Sequence, residues 1–358
     1  MRNQLTSTNA DSIDIFIHIG MPKSGSTSIQ NTLKSLSGDL EKKGILFPTT
    51  PIKEDDNQAI VALCKRKERL PRDLKQRAES LSQEEINSMM DKWLLRLQKT
   101  VTQKYKSIII SSEYLFTMSD KEISTLKNKF EGIFHNPKFH IIAYVREPVA
   151  YWSSLMQQHI KANHRIKLGK SINYGVLSIY KSIFQSIDVF EFNKNKLPNG
   201  DVVRHFFGLI DPSIDLSGTS APSNPSLSPE AIDIMQNFRK NRLPKQNGKR
   251  TPESKTFLRI LGNSDKFVPG KKSSLVKPSV AALITEANTA NLSMLASDFG
   301  INFGAPPTST ATQEDEFISA DTIDQIYDVD QQRKNNLLME VTCRLSRRLA
   351  NQAREKQS

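Results

Sequence analysis

Four short apolar runs, separated by helical stretches, constrain the fold of this chain most strongly. They cover residues 13–19, 43–48, 106–112 and 139–145 and are rich in isoleucine, valine, leucine or phenylalanine. Strands with few polar positions are typical of a parallel sheet that is covered on both faces, and the helices between them provide the crossover connections. The sequence therefore predicts an α/β fold with a central parallel sheet.

The residues between and after these runs predict mostly helix. The charged, leucine-rich sequence over 52–103 predicts a helical insertion that is broken near Pro71 and Ser82. Ser228 and Pro229 predict the start of another helix, with serine as the N-cap and proline in the first turn. Further predicted elements are a strand at 187–192 and helices at 151–163, 279–299 and 323–349.

These elements predict one main domain with two appendages. We expect a flexible N-terminus over 1–12 and a domain over 13–304. A linker and a C-terminal helix follow over 305–358. On that last helix, helical spacing predicts one apolar stripe formed by Leu338, Val341, Leu345 and Leu349.

Charge is concentrated in one part of the chain. The net charge is +12, and the stretch from Arg239 to Lys277 contains 12 Lys/Arg against 2 Asp/Glu. Such a stretch attracts nucleic acid, an anionic glycan or a phosphorylated cofactor, unless it is only a solvated lysine-rich face. Cys64 and Cys343 have no metal-binding spacing and favour a reducing compartment. Because we find no secretory signal and no run of about 20 apolar residues, we expect a cytoplasmic protein.

A loop rich in small residues follows the first predicted strand and precedes a helix. Gly20 and Gly25 let its backbone curl, and Lys23 gives it a positive charge. Its hydroxyl groups belong to Ser24, Ser26, Thr27 and Ser28. Because free N–H groups and the helix dipole meet at a helix start, the sequence predicts an anion-binding loop here.

The position of the lysine in this loop is informative. Gly20 and Gly25 have the separation found in the nucleoside triphosphatase loop G-x-x-x-x-G-K-[ST], but Ser26 stands where its lysine should be. Lys23 instead lies two residues before the second glycine. A loop that holds Mg²⁺ on a triphosphate needs the standard order, whereas a loop that binds one phosphate carrying a sulfuryl group does not.

Pro22-Lys23-Ser24-Gly25-Ser26-Thr27 resembles the 5′-phosphosulfate loop of nucleotide-dependent sulfotransferases, especially bacterial carbohydrate-type and heparan-type members. That loop reads approximately P-K-[ST/A]-G-[ST]-[ST], and the segment matches at every position. The resemblance covers about residues 13–303. It implies a P-loop-like three-layer fold with a central parallel sheet of about five strands flanked by helices. The implied donor is 3′-phosphoadenosine 5′-phosphosulfate, the product is adenosine 3′,5′-bisphosphate, and no metal is expected.

The resemblance also assigns the donor's second phosphate. Family members bind the 3′-phosphate with an arginine after a later strand and a serine eight residues on, which Arg146 and Ser154 match. A guanidinium suits this task because its planar fork donates two parallel hydrogen bonds, although a surface ion pair is the alternative. A basic, glycine-containing loop closes over the same phosphate in the family, and the matching residues are Gly270, Lys271 and Lys272.

Two residues are implied to act on the reacting groups. Lys23 would stabilise charge that builds on the bridging oxygen. Glu113, which follows the strand at 106–112, would take the proton of the acceptor, with His159 and His164 as weaker candidates. The implied acceptor is a hydroxyl or amine, on a carbohydrate or glycan that the basic stretch would hold if it is anionic.

Two other functions stay open on the sequence alone. A P-loop nucleotide kinase or triphosphatase would require a lysine directly after Gly25 and an acidic Mg²⁺ ligand. A non-catalytic nucleic-acid-binding protein would use the stretch from Arg239 to Lys277, which has few interleaved aromatic residues, Phe257 and Phe267. The sequence does not identify the acceptor, the oligomeric state or the role of the C-terminal helix.

Overall fold

The computed structural model describes residues 12–54, 56–219, 226–270, 276–304 and 316–355. These residues group into two compact units, each of which combines segments that are distant in the sequence. The first unit draws on Met1–Arg146, Asn173–Pro222 and Met294–Asn302, and the second on Glu147–Ile172, Ser223–Ser293 and Phe303–Ser358.

The strands of the described residues are β1 (Asp14–Ile19), β2 (Ile45–Leu46), β3 (Ser107–Ser112), β4 (Lys138–Val145), β5 (Ile166–Gly169), β6 (Asp188–Glu191) and β7 (Phe317–Ala320). The α-helices are α1 (Ser26–Ser35), α2 (Ser37–Lys42), α3 (Arg72–Arg77), α4 (Gln83–Lys104), α5 (Asp120–Glu131), α6 (Pro148–Ile160), α7 (Val176–Phe184), α8 (Val202–Ile210), α9 (Pro229–Arg242), α10 (Pro252–Asp265), α11 (Pro278–Ala287), α12 (Thr289–Phe299) and α13 (Gln331–Glu355). No helix among these residues is both long enough and apolar enough to cross a membrane.

A parallel sheet forms the centre of the first unit. Its five strands lie in the order β2-β3-β1-β4-β6, and every pairing is parallel. β1 is the central strand, with Ile17 aligned with Ile110 of β3 and with Ile141 of β4. The predicted α/β fold with about five parallel strands is therefore confirmed.

Apolar residues on both faces of the sheet explain why the strands show little alternation. All six residues of β3 are buried. On one face, Phe16 and Ile109 pack with Ile29 and Leu33 of α1 and with Phe206 of α8. Because burial of each such side chain contributes about 1.5–3 kcal/mol, this layer holds α1 firmly against the sheet.

The second unit is mainly helical. Its antiparallel ribbon of β5 and β7, with Ile166 opposite Ala320, was not predicted from the sequence. Trp152 of α6, Met235 of α9, Leu261 of α10 and Val341 of α13 share one apolar core. The helices, rather than the four-residue strands, therefore supply most of the buried apolar surface.

The insertion at 52–103 is less helical than predicted. The breaks at Pro71 and Ser82 are confirmed, since α3 begins at Arg72 and α4 follows Ser82. Residues 58–63 and 67–69, however, form only 3₁₀ turns. Asn57 ties this segment to the sheet, because its amide donates to the Ile109 carbonyl and accepts from the Ser111 N–H.

Two predicted helices also have different limits. The helix predicted at 279–299 is two helices that meet at Asn288, whose side chain bonds with the Lys170 carbonyl and the Ile172 N–H. The helix predicted at 323–349 begins later, since α13 starts at Gln331. Before it, residues 323–325 form a 3₁₀ turn, and Tyr327 pairs with Val276 in an isolated β-bridge.

The predicted apolar stripe on α13 is partly wrong. Leu337 and Val341 are buried, whereas Leu338, Leu345 and Leu349 are exposed. The buried face is set by Arg333, one turn before Leu337, whose guanidinium is held inside the unit. The predicted domain boundary near 305 stays a prediction, because residues 305–315 and 1–11 lie outside the described part of the chain.

Candidate functional site

The predicted anion-binding loop lies at the carboxyl end of the central strand. Residues 20–25 connect β1 to α1, and the chain then continues to β2 on one side of β1. From β4 the chain instead leads to β6 on the other side. Ligands of open parallel sheets bind where such connections diverge, which here is the point between the loop after β1 and Arg146 after β4.

The backbone of the loop turns sharply at two residues. Lys23 and Gly25 have φ angles of 66° and 86°, in the left-handed region. A β-carbon on Gly25 would lie 2.7 Å from Val202 Cγ1 and 2.9 Å from Phe192 Cε2. Glycine is therefore favoured at position 25 both by the backbone conformation and by the close approach of these side chains.

Two hydroxyls of the loop serve the loop itself. Ser24 Oγ and Ser26 Oγ donate to the Met21 carbonyl over 2.6 and 3.1 Å, and both side chains are buried. Their side chains thus hold the curl of the backbone. Thr27 is exposed and Ser28 is half-buried, so these two hydroxyls face the surroundings of the loop.

The first turn of α1 presents unsatisfied backbone donors. Ser28 N and Ile29 N donate to the Gly25 carbonyl, so the N–H groups of Ser26 and Thr27 precede the first donors within the helix. The N-cap has no side-chain hydrogen bond, and the first turn contains no acidic residue. The helix start therefore keeps the partial positive charge that attracts an anion.

Arg146 is joined directly to the loop. Its Nη1 donates to the Lys23 carbonyl over 3.1 Å, and its guanidinium carbon lies 5.8 Å from the centre of the Phe192 ring. The hydroxyl of Tyr174 donates to the Arg146 carbonyl and fixes the backbone there. The structure thus places the Arg146 guanidinium against the backbone of Lys23, although the sequence assigned these two residues to two different phosphates.

Glu113 lies beside the same loop. It opens a 3₁₀ turn after β3, and the residue before it, Ser112, accepts a hydrogen bond from the Gly20 N–H over 3.2 Å. Burial and the carboxylate of Asp73 raise the pKa of Glu113, and Lys23 lowers it. A carboxylate in this setting accepts a proton more readily than one in water, which suits a general base.

His18 begins the predicted phosphate-binding segment, but sequence reasoning gave its side chain no role. His18 is completely buried in β1. Its Nδ1 lies 2.8 Å from Ser111 Oγ, and its Nε2 has no hydrogen-bond partner in the described residues. Burial lowers the pKa of His18 to about 3, so the ring is neutral. A β-carbon on Gly20 would lie 2.5 Å from Ser26 Oγ and 3.4 Å from His18 Cε1, so the imidazole lies close to the start of the loop.

Phe192 and Asp73 were also missed. Phe192 follows β6 and packs between Gly25 and Arg146, and an aromatic residue at the end of a predicted strand was the only signal for it. Asp73 accepts a hydrogen bond from the Tyr114 hydroxyl over 2.7 Å. Its proximity to Glu113 had no sequence signal, because 40 residues separate the two.

The remaining predicted residues belong to the second unit or lie outside the described residues. Ser154 is half-buried on α6, and His159 Nε2 bonds with the Arg165 carbonyl. Gly270 has a φ of 118°, and a β-carbon there would lie 3.1 Å from Arg333 Cδ. Lys271 and Lys272 are outside the described residues. The roles predicted for all of these residues stay predictions.

The chain matches no protein-family model, no curated protein and no solved structure. Among the described residues there is also no group of three or more His, Cys, Asp or Glu side chains arranged to hold a metal ion.

Proposed function

We propose that the first unit binds 3′-phosphoadenosine 5′-phosphosulfate and transfers its sulfuryl group to a hydroxyl or amine acceptor. The observation that carries the proposal is the hydrogen bond from the Arg146 guanidinium to the Lys23 carbonyl, which places the arginine against the backbone of the loop before α1. A donor with separate 5′- and 3′-phosphates requires positive charge at two neighbouring positions. The resemblance of Pro22–Thr27 to the 5′-phosphosulfate loop of sulfotransferases, and a P-loop-like arrangement of the fold, belong to the same proposal.

In this proposal each charge has one task. The N–H groups of Ser26 and Thr27 and the ammonium of Lys23 hold the 5′-phosphosulfate, and Arg146 holds the 3′-phosphate. Phe192 and the Tyr174 hydroxyl keep the arginine in place. Thr27 and Ser28 complete the loop with hydroxyl donors.

The reaction is an in-line displacement at sulfur. The acceptor oxygen forms a bond to sulfur while the bond from sulfur to the bridging oxygen breaks. The acceptor proton passes to Glu113, and the electron pair of the broken bond stays on the phosphate of adenosine 3′,5′-bisphosphate. Lys23 stabilises that developing charge, and the raised pKa of Glu113 makes proton transfer easier.

The packing of Ser26 argues against a triphosphatase. This residue occupies the position of the P-loop lysine, yet it is 3% exposed and its hydroxyl bonds to Met21 inside the loop. No side chain at this position reaches a β- or γ-phosphate. The only loop cation is Lys23, which lies before Gly25 and matches a single phosphosulfate.

The acceptor is proposed from the resemblance alone, as a carbohydrate or glycan. The test is transfer of radioactive sulfur from the labelled donor to a panel of glycans, lipids and small alcohols. Label in an acceptor that depends on wild-type protein and disappears in Lys23→Ala, but not in the matched surface variant Lys92→Ala, supports the proposal. Equal transfer by both variants contradicts it.

A further inference from the structure

The C-terminal half of α13 extends beyond the core of the second unit. Val341 is its last buried residue among those that the structure describes, and within residues 342–351 only Arg344 is half-buried. At about 1.5 Å per residue, the helix from Thr342 to Glu355 is about 20 Å long. Because a helix of this length is only marginally stable in water without packing, a surface that covers one of its faces would stabilise it.

Three leucines form an exposed stripe on α13. Leu338, Leu345 and Leu349 are 41%, 37% and 66% exposed. Their spacing of seven and four residues places them on one side of the helix, where Thr342 lies between them. Met339, beside the stripe, is also exposed. Single exposed apolar residues are ordinary, but a row of them along one helix indicates a binding surface.

The rest of this half is basic and lacks acidic residues. Residues 341–354 contain four Arg and no Asp or Glu. Arg344 pairs with Glu340, whereas Arg347 and Arg348 are exposed and form no ion pair with a carboxylate of the described residues. The helix therefore presents an apolar stripe next to cations that lack a counter-charge.

The arginines also face a groove between α13 and α10. Its volume is about 410 Å³, and the side chains that line it are Arg259, Ile260, Asn263, Arg344, Arg347 and Arg348. None of these six side chains is acidic, so the groove attracts an anionic group. Beside it lies the exposed ring of Phe267, whose centre is 4.5 Å from the guanidinium carbon of Arg344. Exposed apolar side chains thus cover an area wider than the single seam that a partner helix fills.

We infer that α13 docks the second unit on an anionic lipid membrane and lies along its surface. The leucine stripe enters the apolar layer, and the arginines extend from the edge of the helix to the phosphates of the lipid headgroups. Anionic lipids supply the counter-charge that residues 341–354 lack. A second copy of this chain is the less suitable occupant, because pairing along the stripe would bring two sets of four arginines together. This surface goes beyond the proposed donor site.

The test is co-sedimentation of the full chain with two kinds of vesicle. One contains phosphatidylcholine alone, and in the other about a third of the lipid is phosphatidylglycerol. We expect the wild-type protein to sediment with the anionic vesicles and to bind the neutral ones at least about tenfold more weakly. Light scattering without lipid, on the same samples, measures the oligomeric state.

Two leucine changes test the apolar part of the surface without altering charge. Leu345→Ser/Leu349→Ser should lower affinity for anionic vesicles by about tenfold or more, because less apolar surface enters the lipid. Leu95→Ser/Leu209→Ser is the matched control, since these two leucines are 54% and 39% exposed elsewhere on the protein. It should bind as the wild type does.

Two arginine changes test the basic part. Arg347→Gln/Arg348→Gln should lower affinity for anionic vesicles by about tenfold or more and leave the weak binding to neutral vesicles unchanged. Lys92→Gln/Arg96→Gln removes the same charge from exposed positions of α4 and is expected to have much less effect.

Three results with vesicles would overturn the inference. They are absence of wild-type binding to anionic vesicles, equal binding to neutral ones, and losses in either α13 variant no larger than in its control. A wild-type dimer without lipid that the leucine changes convert to a monomer would also overturn it, because the stripe would then belong to an interface between two copies.

Discussion

At the scale of single residues, Lys23 combines a charge with an uncommon backbone conformation. Its φ of 66° lies in a region that residues with a β-carbon rarely adopt, and such a conformation costs about 1 kcal/mol. The adjacent contacts hold it there, since the Lys23 carbonyl accepts from Arg146 and the next residue bonds back to Met21. The lysine is therefore positioned by the loop before any ligand binds.

Replacing the proposed base should separate catalysis from binding. Glu113→Gln is expected to lower kcat by about 10²–10⁴-fold and to leave affinity for adenosine 3′,5′-bisphosphate unchanged. Because burial and Asp73 raise the pKa of Glu113, wild-type activity should fall as pH drops through that raised value. The pH profile of kcat/KM measures this. A variant that keeps the same acid limb and rate would show that Glu113 is not the base.

The buried histidine predicts a pH dependence of stability. His18 has a pKa of about 3 in the folded protein, below its ordinary value of 6.5, so the unfolded chain binds a proton that the folded chain does not. Stability from this residue is complete above pH 6.5 and is lost as pH falls toward 3, by up to about 1.4 kcal/mol per pH unit.

The measurement is a pair of urea titrations at pH 7 and pH 5 on wild type and His18→Gln. The wild type should lose about 2 kcal/mol more than the variant between these values. As a direct check, one imidazole resonance should not titrate in this range and should be absent from the variant. Identical pH dependence in the two proteins would contradict the neutral state of His18.

Residue types were easier to predict from the sequence than residue partners. Gly25, Lys23 and Arg146 were found because glycine, lysine and arginine after strands have a physical reason to be there. Asp73 and Phe192 were not, since their importance comes from neighbours that only the fold supplies. The hydroxyls of Ser24 and Ser26 were predicted to donate to a ligand, but both donate to the Met21 carbonyl inside the loop. A sequence motif does not specify the direction in which a side chain points.

At the scale of elements, the start of α1 determines the geometry of the proposed site. The helix begins at Ser26 with Gly25 as its N-cap and with no side-chain cap. Ile29 and Leu33 fix the helix on the sheet, so its first turn cannot move away from the strand ends. An anion bound there would replace the missing cap.

Gly25→Ala tests how tightly this element is packed. The added methyl group would lie 2.7 Å from Val202 Cγ1 and 2.9 Å from Phe192 Cε2, and the alanine would also have to adopt a φ of 86°. Gly44→Ala is the matched control, because its φ is 73° but the nearest atom lies at 3.5 Å. We expect a loss of about 1 kcal/mol in the control and about 1–3 kcal/mol more at position 25, measured by urea denaturation. Equal losses in the free energy of unfolding of the two variants would show that the loop accommodates the methyl group without a packing cost.

Element types followed from sequence more reliably than element limits. The strands were predicted because their burial on both faces leaves a continuous apolar run, as in β3. The division at Asn288 and the 3₁₀ turns before Arg72 depend on side-chain bonds to distant carbonyls, which no local pattern reveals. The ribbon of β5 and β7 joins residues about 150 apart, so its pairing was equally hidden.

At the scale of the whole molecule, each unit is held by its own interactions. In the second unit, Arg333 joins three helices: it bonds to Glu230 at the start of α9 over 2.6 Å and to Asp265 at the end of α10 over 2.8 Å. All three side chains are almost completely buried. The sequence indicated helices here but not that two carboxylates and one arginine bind them together.

Removing this arginine should destabilise the second unit. Arg333→Met leaves Glu230 and Asp265 buried without their cation, which costs about 3–5 kcal/mol. Arg344→Met is the control, because Arg344 pairs with Glu340 one turn earlier on the same helix, near its surface. Loss of this pair should lower the free energy of unfolding by about 1 kcal/mol or less. Urea denaturation followed by circular dichroism measures both. Similar losses would show that the buried cluster is not a main source of stability.

The measurement that tests the central claim most directly is calorimetric titration of the full chain with adenosine 3′,5′-bisphosphate in the absence of Mg²⁺. Wild type and Lys92→Ala should bind, and Lys23→Ala and Arg146→Ala should each lose about tenfold or more, the worth of a hydrogen bond to a charged group. Unchanged affinity in both site variants, or binding of Mg-ATP in place of the bisphosphate, would contradict the proposed donor site.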